Sequence, residues 1–127
     1  MYIRIILCIA VCCCAVCPTG DKVYITNWDQ HKLLSLATDG SVLACFTDPE
    51  LQYPGCVHVT PTGQVLVCGW ESHAIIQVDN EGRQKLANLN KWVVRISHPW
   101  SVYYSRITSS IIVGKYKWKT LVYFELR

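Results

Sequence analysis

Compared with itself, the chain shows a period that few architectures satisfy. Val23, Trp28, His31 and Gly40 recur as Val65, Trp70, His73 and Gly82, each at an offset of 42 residues. Similar residues fill the intervals: Asp29 matches Glu71, Leu33 matches Ile75, Leu34 matches Ile76, Leu36 matches Val78 and Asp39 matches Glu81. A second correspondence, at an offset of 45, sets Pro54, Val57, Leu66, Val67 and Gly69 over Pro99, Val102, Ile111, Ile112 and Gly114 without a gap. A period of about 40–45 residues with several short strands points to propeller blades, since one such unit must stack on neighbours to bury its apolar faces.

Each unit divides into four pieces. A proline, Pro54 or Pro99, leads into a first strand, as in Val57–Val59 or Val102–Tyr104. A turn containing Pro61-Thr62-Gly63 follows, then β-branched and aliphatic runs over Val23–Ile25, Val65–Val67 and Ile111–Val113. The connectors Trp28–His31 and Trp70–His73 lead to third strands at Lys32–Leu36 and Ala74–Val78. Asp39-Gly40 and Glu81-Gly82 supply tight hairpin turns, and Val42–Phe46 closes the sheet. The expected class is therefore all-β, an open or partial β-propeller of about three four-stranded antiparallel blades. The units cover about 14–53, 54–98 and 99–127, with residues 18–127 as the propeller part and 1–17 as an apolar segment. Closed propellers hold roughly four to eight blades. An open ring leaves sheet edges unpaired, which predicts oligomerisation through them.

The first residues admit two readings. Arg4 followed by the apolar run Ile5–Val16 has the layout of a secretory signal peptide, with cleavage after Ala15, and is too short to span a bilayer. Yet Cys14–Gly20 lies over Val57–Gly63, and both stretches end in Pro-Thr-Gly. A signal peptide has no reason to share that turn, so the first strand of a truncated blade is the preferred expectation. The eight cysteines fit it: five crowd this segment, and Cys45, Cys56 and Cys68 are scattered among apolar neighbours. They read as small buried hydrophobes in a reducing, cytoplasmic setting. The alternative is a small secreted β-protein in which Cys17, Cys45, Cys56 and Cys68 form two disulfides, for which three pairings exist. A net charge of +3 is too small to direct the chain to nucleic acid or anionic lipid by itself.

Gln30-His31-Lys32-Leu33 and Ser72-His73-Ala74-Ile75, each preceded by Trp28-Asp29 or Trp70-Glu71, resemble the NHL repeat, in particular the six-bladed propeller that ends animal tripartite-motif ubiquitin ligases. The resemblance runs from Pro18 to Arg127. It implies a scaffold that recruits protein or RNA to a ligase whose RING lies elsewhere. The asparagine of the motif is replaced by Gln30 and Ser72, and in the third unit Lys117-Trp118-Lys119-Thr120-Leu121 lacks the histidine as well. Nothing after Cys17 offers paired zinc ligands. The chain is thus expected to recruit substrates without transferring ubiquitin, and to be no enzyme itself.

Chemical sites are sparse. Cys14 and Cys17 have C-x-x-C spacing without a second pair, which favours a buried strand over a metal or redox centre. His31 and His73, at equivalent positions of neighbouring blades, are expected to lie well apart, each bonding its local turn. His58 and His98 stand alone. No serine sits in a nucleophile-elbow context, and the carboxylates cluster in turns. A lactonase-like propeller would need inward carboxylates from several blades, and none are in place. The sequence therefore predicts no catalytic residue, no cofactor and no metal. The predicted binding rim comprises Trp28, His31, Trp70, His73, Lys115, Lys117, Trp118 and Lys119. Its expected partner is a protein, with RNA as the second candidate because basic and aromatic residues alternate in Lys115–Lys119, with Arg106 and Lys91 as neighbours. No membrane span is expected.

Overall fold

The computed structural model describes residues 11–92, 97–115 and 121–125. Blade 1 comprises β1 (Val11–Val16), β2 (Lys22–Asn27), β3 (Lys32–Ala37) and β4 (Val42–Phe46). Blade 2 comprises β5 (Pro54–Val59), β6 (Val65–Gly69), β7 (Ala74–Val78) and β8 (Lys85–Asn88), followed by one helical turn, α1 (Leu89–Trp92). Blade 3 comprises β9 (Pro99–Ser105), β10 (Ser110–Lys115) and β11 (Leu121–Glu125). All three are antiparallel meanders in chain order. The all-β propeller-like expectation is met. No helix among the described residues is long and apolar enough to cross a membrane.

Most strands run a residue or more beyond the apolar letters that mark them, because the backbone ladder continues after the side-chain signal ends. Pro54 and Pro99 lie inside their strands, opposite Gly69 and Lys115, and not ahead of them. An irregularity in the pairing follows each proline, which is how a residue without an N–H is accommodated at the first strand position. The β1–β2, β3–β4, β5–β6 and β7–β8 hairpins share one turn geometry. Gly20, Gly40, Gly63 and Gly82 all have positive φ, and each donates its N–H to the carbonyl three residues earlier at 2.9–3.0 Å.

Strand alternation gives each sheet two faces, and the blades stack face on face. On blade 1, Tyr24, Leu33 and Phe46 point toward blade 2, where Val57, Val59, Val65, Val67, Ile76 and Val78 receive them. On the other side of blade 2, Leu66, Cys68 and Ile75 pack on Val102, Ile111 and Val113 of blade 3. Polar bonds cross the first interface as well: Thr26 Oγ1 donates to the Gly55 carbonyl at 2.9 Å and Tyr24 Oη to the Asn80 carbonyl at 2.5 Å.

This packing corrects the gap-free offset of 45. In blade 2, Val57 pairs with Val67 and Val59 with Val65; in blade 3, Val102 pairs with Val113 and Tyr104 with Ile111. The second strand of blade 3 is therefore displaced by 46, and Ile111 corresponds to Val65, not to Leu66. The extra residue sits in the β9–β10 turn, where Ser109 (φ 51°) stands in the place of Gly63. A one-residue slip matters because it sends every side chain of a strand to the opposite face.

Candidate binding rim

In a meander the β2–β3 connector, the β6–β7 connector and the chain crossing into the next blade all emerge at one end. His31 and His73 end the two connectors in the left-handed region, at φ 57° and 53°. Tyr53 and His98, the residues directly before Pro54 and Pro99, share that region at φ 50° and 52°. Such values are uncommon outside glycine, and here a specific bond holds them. His31 Nδ1 accepts the Tyr53 N–H at 2.8 Å, and His73 Nδ1 accepts the His98 N–H at 3.0 Å. Because a backbone N–H only donates, Nδ1 is the bare nitrogen of each ring and Nε2 carries the proton. Each histidine thus clasps its own blade to the residue that leads into the next. It does not bond its local turn, as the sequence suggested.

Loss of one clasp has a defined cost. His73→Ala removes the acceptor for a backbone donor and is expected to destabilise the fold by about 1–2 kcal/mol. His73→Asn, which tolerates positive φ and offers an oxygen, should retain part of that. Urea unfolding of both variants checks the order; equal losses would place the contribution in ring packing.

The clasps bring together rings that lie far apart in sequence. Trp28 lies 5.0 Å from Tyr53, 5.7 Å from Trp70 and 5.5 Å from Trp100, centroid to centroid, so three blades meet at one indole. Trp70 lies 4.8 Å from His98, which meets His73 edge-on at 4.3 Å. Gly55 makes room: a Cβ there would stand 2.8 Å from the Trp100 carbonyl oxygen and 3.3 Å from its ring. Equivalent residues of adjacent blades were expected well apart, and the Trp28–Trp70 contact overturns that for the head of the connector. His98, expected to carry no signal, belongs to the cluster. So do Tyr53 and Trp100. The first two had a recoverable signal, since the offset of 45 that matches Pro54 to Pro99 also matches Tyr53 to His98.

The rings are half-buried, with Tyr53 and His73 exposed. Asp29 and Glu71 flank them, both exposed and without an ion-pair partner among the described residues. The acidic residues behind the rim are engaged: Lys85 Nζ bonds Glu50 at 2.8 Å and Asp48 at 3.2 Å, and Asn88 holds the other Glu50 oxygen at 3.0 Å. Lys115, half-buried, ends β10 opposite Pro99 and so reaches this rim. Lys117, Trp118 and Lys119 lie outside the described residues. Arg106 is not a neighbour of Lys115, because it occupies the β9–β10 turn at the far end of the strand. Lys91 falls in α1.

Other titratable groups are structural. Cys13, Cys14, Cys17, Cys45, Cys56 and Cys68 form no disulfide with one another, and complete burial pushes the Cys68 thiol well above its usual range. Among the described residues no group of three or more His, Cys, Asp or Glu is placed to hold a metal ion. A cleft of about 300 Å³ at the opposite rim is lined by Cys17, Thr19, Asp21, Tyr24, Pro61 and Asn80. There Asp21 accepts from Cys17 Sγ at 2.9 Å and from Thr19 Oγ1 at 2.5 Å, and those bonds hold its carboxyl below the ordinary value.

His58, at the blade 2–blade 3 interface and 4.6 Å from the Tyr103 ring, is held below the ordinary value of 6.5 by burial, partly offset by a bond with the Tyr104 backbone. The unfolded chain then takes up a proton that the fold resists. Stability should accordingly fall as pH drops below 6.5, and level off below the folded value. His58→Gln should flatten that slope in urea titrations at stepped pH; an unchanged slope would assign it to another group.

No family model matches the sequence, and no curated protein matches it either. Solved structures do. The chain is similar to hydrazine synthase of Kuenenia stuttgartiensis over 91% of its own length and 32% of that chain (TM-score 0.76, 17% identity). It is similar to virginiamycin B lyase of Staphylococcus aureus over 92% and 41% (TM-score 0.65, 13% identity). A protein of unknown function from Bacteroides caccae is matched over 91% and 46% (TM-score 0.74, 12% identity). The shared feature is the propeller-like stack of antiparallel four-stranded sheets. This chain spans less than half of each of those lengths.

Proposed function

We propose that the chain is a non-catalytic binding scaffold of the NHL-like kind, working in the cytoplasm and recruiting a protein partner through the rim of Trp28, Tyr53, Trp70, His98 and Trp100. The observation that carries this is the convergence of rings from three blades on Trp28, beside two backbone-level clasps that fix Tyr53 and His98. Rigidly mounted, partly exposed aromatics supply contact area at low entropic cost. The uncompensated carboxylates of Asp29 and Glu71 favour a partner segment that brings Lys or Arg, whose cations gain from both the charge and the ring faces. They disfavour a phosphate backbone, which places RNA second. A relationship to the tripartite-motif ligases, in which this scaffold would select substrates for a RING borne elsewhere, extends the same reading.

Photo-crosslinking tests it. A benzophenone amino acid at exposed Tyr53 should yield discrete protein adducts in cells, lost on adding Asp29→Lys and Glu71→Lys, while the same group at Thr62 on the opposite rim yields none. Adducts sensitive to nuclease, or equal adducts from both rims, would refute it.

A further inference from the structure

We propose that Cys56 and Cys68 form a redox site, a pair of thiols on neighbouring strands of blade 2 that a disulfide oxidant such as oxidised glutathione converts to an intrachain disulfide. The inference does not rest on the partner assigned to the rim.

Strand register brings the two side chains together. Val57 pairs with Val67, and one further step along that ladder sets Cys56 beside Cys68. The irregularity between Pro54 and Val57 leaves Gly55 and Cys56 together opposite Cys68. Val57 and Val67 both face blade 1. Alternation along each strand therefore turns Cys56 and Cys68 to the other face, where Cys68 packs with Val102, Ile111 and Val113 of blade 3. Gly55 abuts Trp100 on that same face. Opposed residues of antiparallel strands have Cα atoms about 4.5–5.5 Å apart, inside the roughly 4.4–6.8 Å that a disulfide spans.

Blade 1 shows what the position opposite the bulge otherwise does. The same irregularity occurs in β1, between Val11 and Cys14, and faces Thr26. The repeat matches Cys13 to Cys56 at an offset of 43 and Thr26 to Cys68 at an offset of 42. Thr26 Oγ1 accepts the Cys13 N–H at 3.1 Å and donates to the Gly55 carbonyl at 2.9 Å, so the side chain opposite the bulge lies against the backbone of the bulged residue. Blade 2 keeps the bulge and replaces that hydroxyl by a thiol. A thiol is the weaker hydrogen-bonding group, so the exchange does not strengthen the bracket. It sets a second sulfur within reach of the first.

The two thiols differ in access. Cys56 is half-buried, whereas Cys68 has no exposed surface. Burial keeps the Cys68 thiol protonated, and Cys56 and then Cys13 are the ionisable neighbours that add to this. Oxidation therefore starts at Cys56. Its sulfur displaces one thiolate from the oxidant, which takes up the proton that Cys56 gives up, and a mixed disulfide forms. The Cys68 sulfur then attacks the Cys56 sulfur, and its proton leaves with the second small thiol. Two protein thiols and one oxidant disulfide thus give one protein disulfide and two small thiols. Cys13, on blade 1, is the competing partner for Cys56.

The test is a titration of the 127-residue chain in buffers of reduced and oxidised glutathione, quenched with acid and digested with pepsin, which cuts between the two cysteines at a pH that stops thiol exchange. Peptides joining Cys56 to Cys68 and released by reductant should exceed every other linkage of Cys13, Cys56 or Cys68 at least about tenfold. Cys68→Thr restores the residue that blade 1 carries and should keep the parent far-UV spectrum. It should abolish those peptides and leave Cys56 as the mixed disulfide with glutathione. Cys56→Ser should leave Cys68 unmodified. Exposed Cys14 and Cys45 show that the oxidant has acted. Their modification without a Cys56–Cys68 linkage, a dominant Cys13–Cys56 linkage, or a Cys68 that takes up glutathione in the Cys56→Ser variant would each overturn the proposal.

Discussion

Gly82→Ala is expected to destabilise the chain by about 2–4 kcal/mol, one of the two largest single-residue effects in this fold. Gly82 closes the β7–β8 turn at φ 73°, a conformation that costs a side chain about 1 kcal/mol. It is also buried against blade 1: a Cβ at this position would stand 2.0 Å from Ser35 Oγ, 3.3 Å from Ser35 Cβ and 3.6 Å from the Tyr24 ring. The overpacking adds about 1–3 kcal/mol. The two contributions separate in a double variant. Ser35 Oγ is buried and finds no hydrogen-bond partner among the described residues, so Ser35→Ala alone should be neutral or slightly stabilising. Combined with Gly82→Ala it should restore the overpacking share and leave the backbone share. Chemical denaturation of the four chains gives the coupling directly. Strict additivity would mean that the turn and β3 do not touch, and would break the blade 1–blade 2 interface as described.

Trp28→Ala should cost about 2–4 kcal/mol, comparable to removing a large core aromatic although the indole is only half-buried. The reason is its position: it touches Tyr53, Trp70 and Trp100, so truncation removes three ring contacts and opens a void where three blades meet. Trp28→Phe should keep most of this, since a smaller ring still reaches at least the Tyr53 and Trp70 faces. A loss below about 0.5 kcal/mol for the alanine variant would show the rings to be neighbours without being packed.

The architecture was legible because it repeats. Trp28 and Trp70, His31 and His73, Gly40 and Gly82 mark connector and turn twice over, and a fold that reuses one unit writes its period into the sequence. Third-blade register was not legible, because Ser109 does by a tolerated left-handed turn what Gly63 does by absence of a side chain. With no glycine to anchor the alignment, a gap-free match sets Ile111 against the wrong face. The rim was half legible. Its connector residues carry the motif, but Tyr53, His98 and Trp100 enter from the start of the following blade. Their partnership with His31, His73 and Trp28 spans 22, 25 and 72 residues, beyond anything a local pattern encodes. The role of the histidines was mistaken for the same reason, since a bond to the local turn and a clasp to the next blade look alike until the next blade is in place.

The central claim is that blades 1, 2 and 3 converge on one indole to form a single rim. Proton NMR of the chain with labelled tryptophan tests it most directly, through cross-relaxation between the rings of Trp28 and Trp100. The structure sets their centroids 5.5 Å apart, so a strong cross-peak is expected, alongside those from Trp28 to Trp70 and Tyr53. Cross-peaks to Trp70 and Tyr53 with none to Trp100 would mean that blade 3 does not reach the rim, and the three-blade platform would be contradicted.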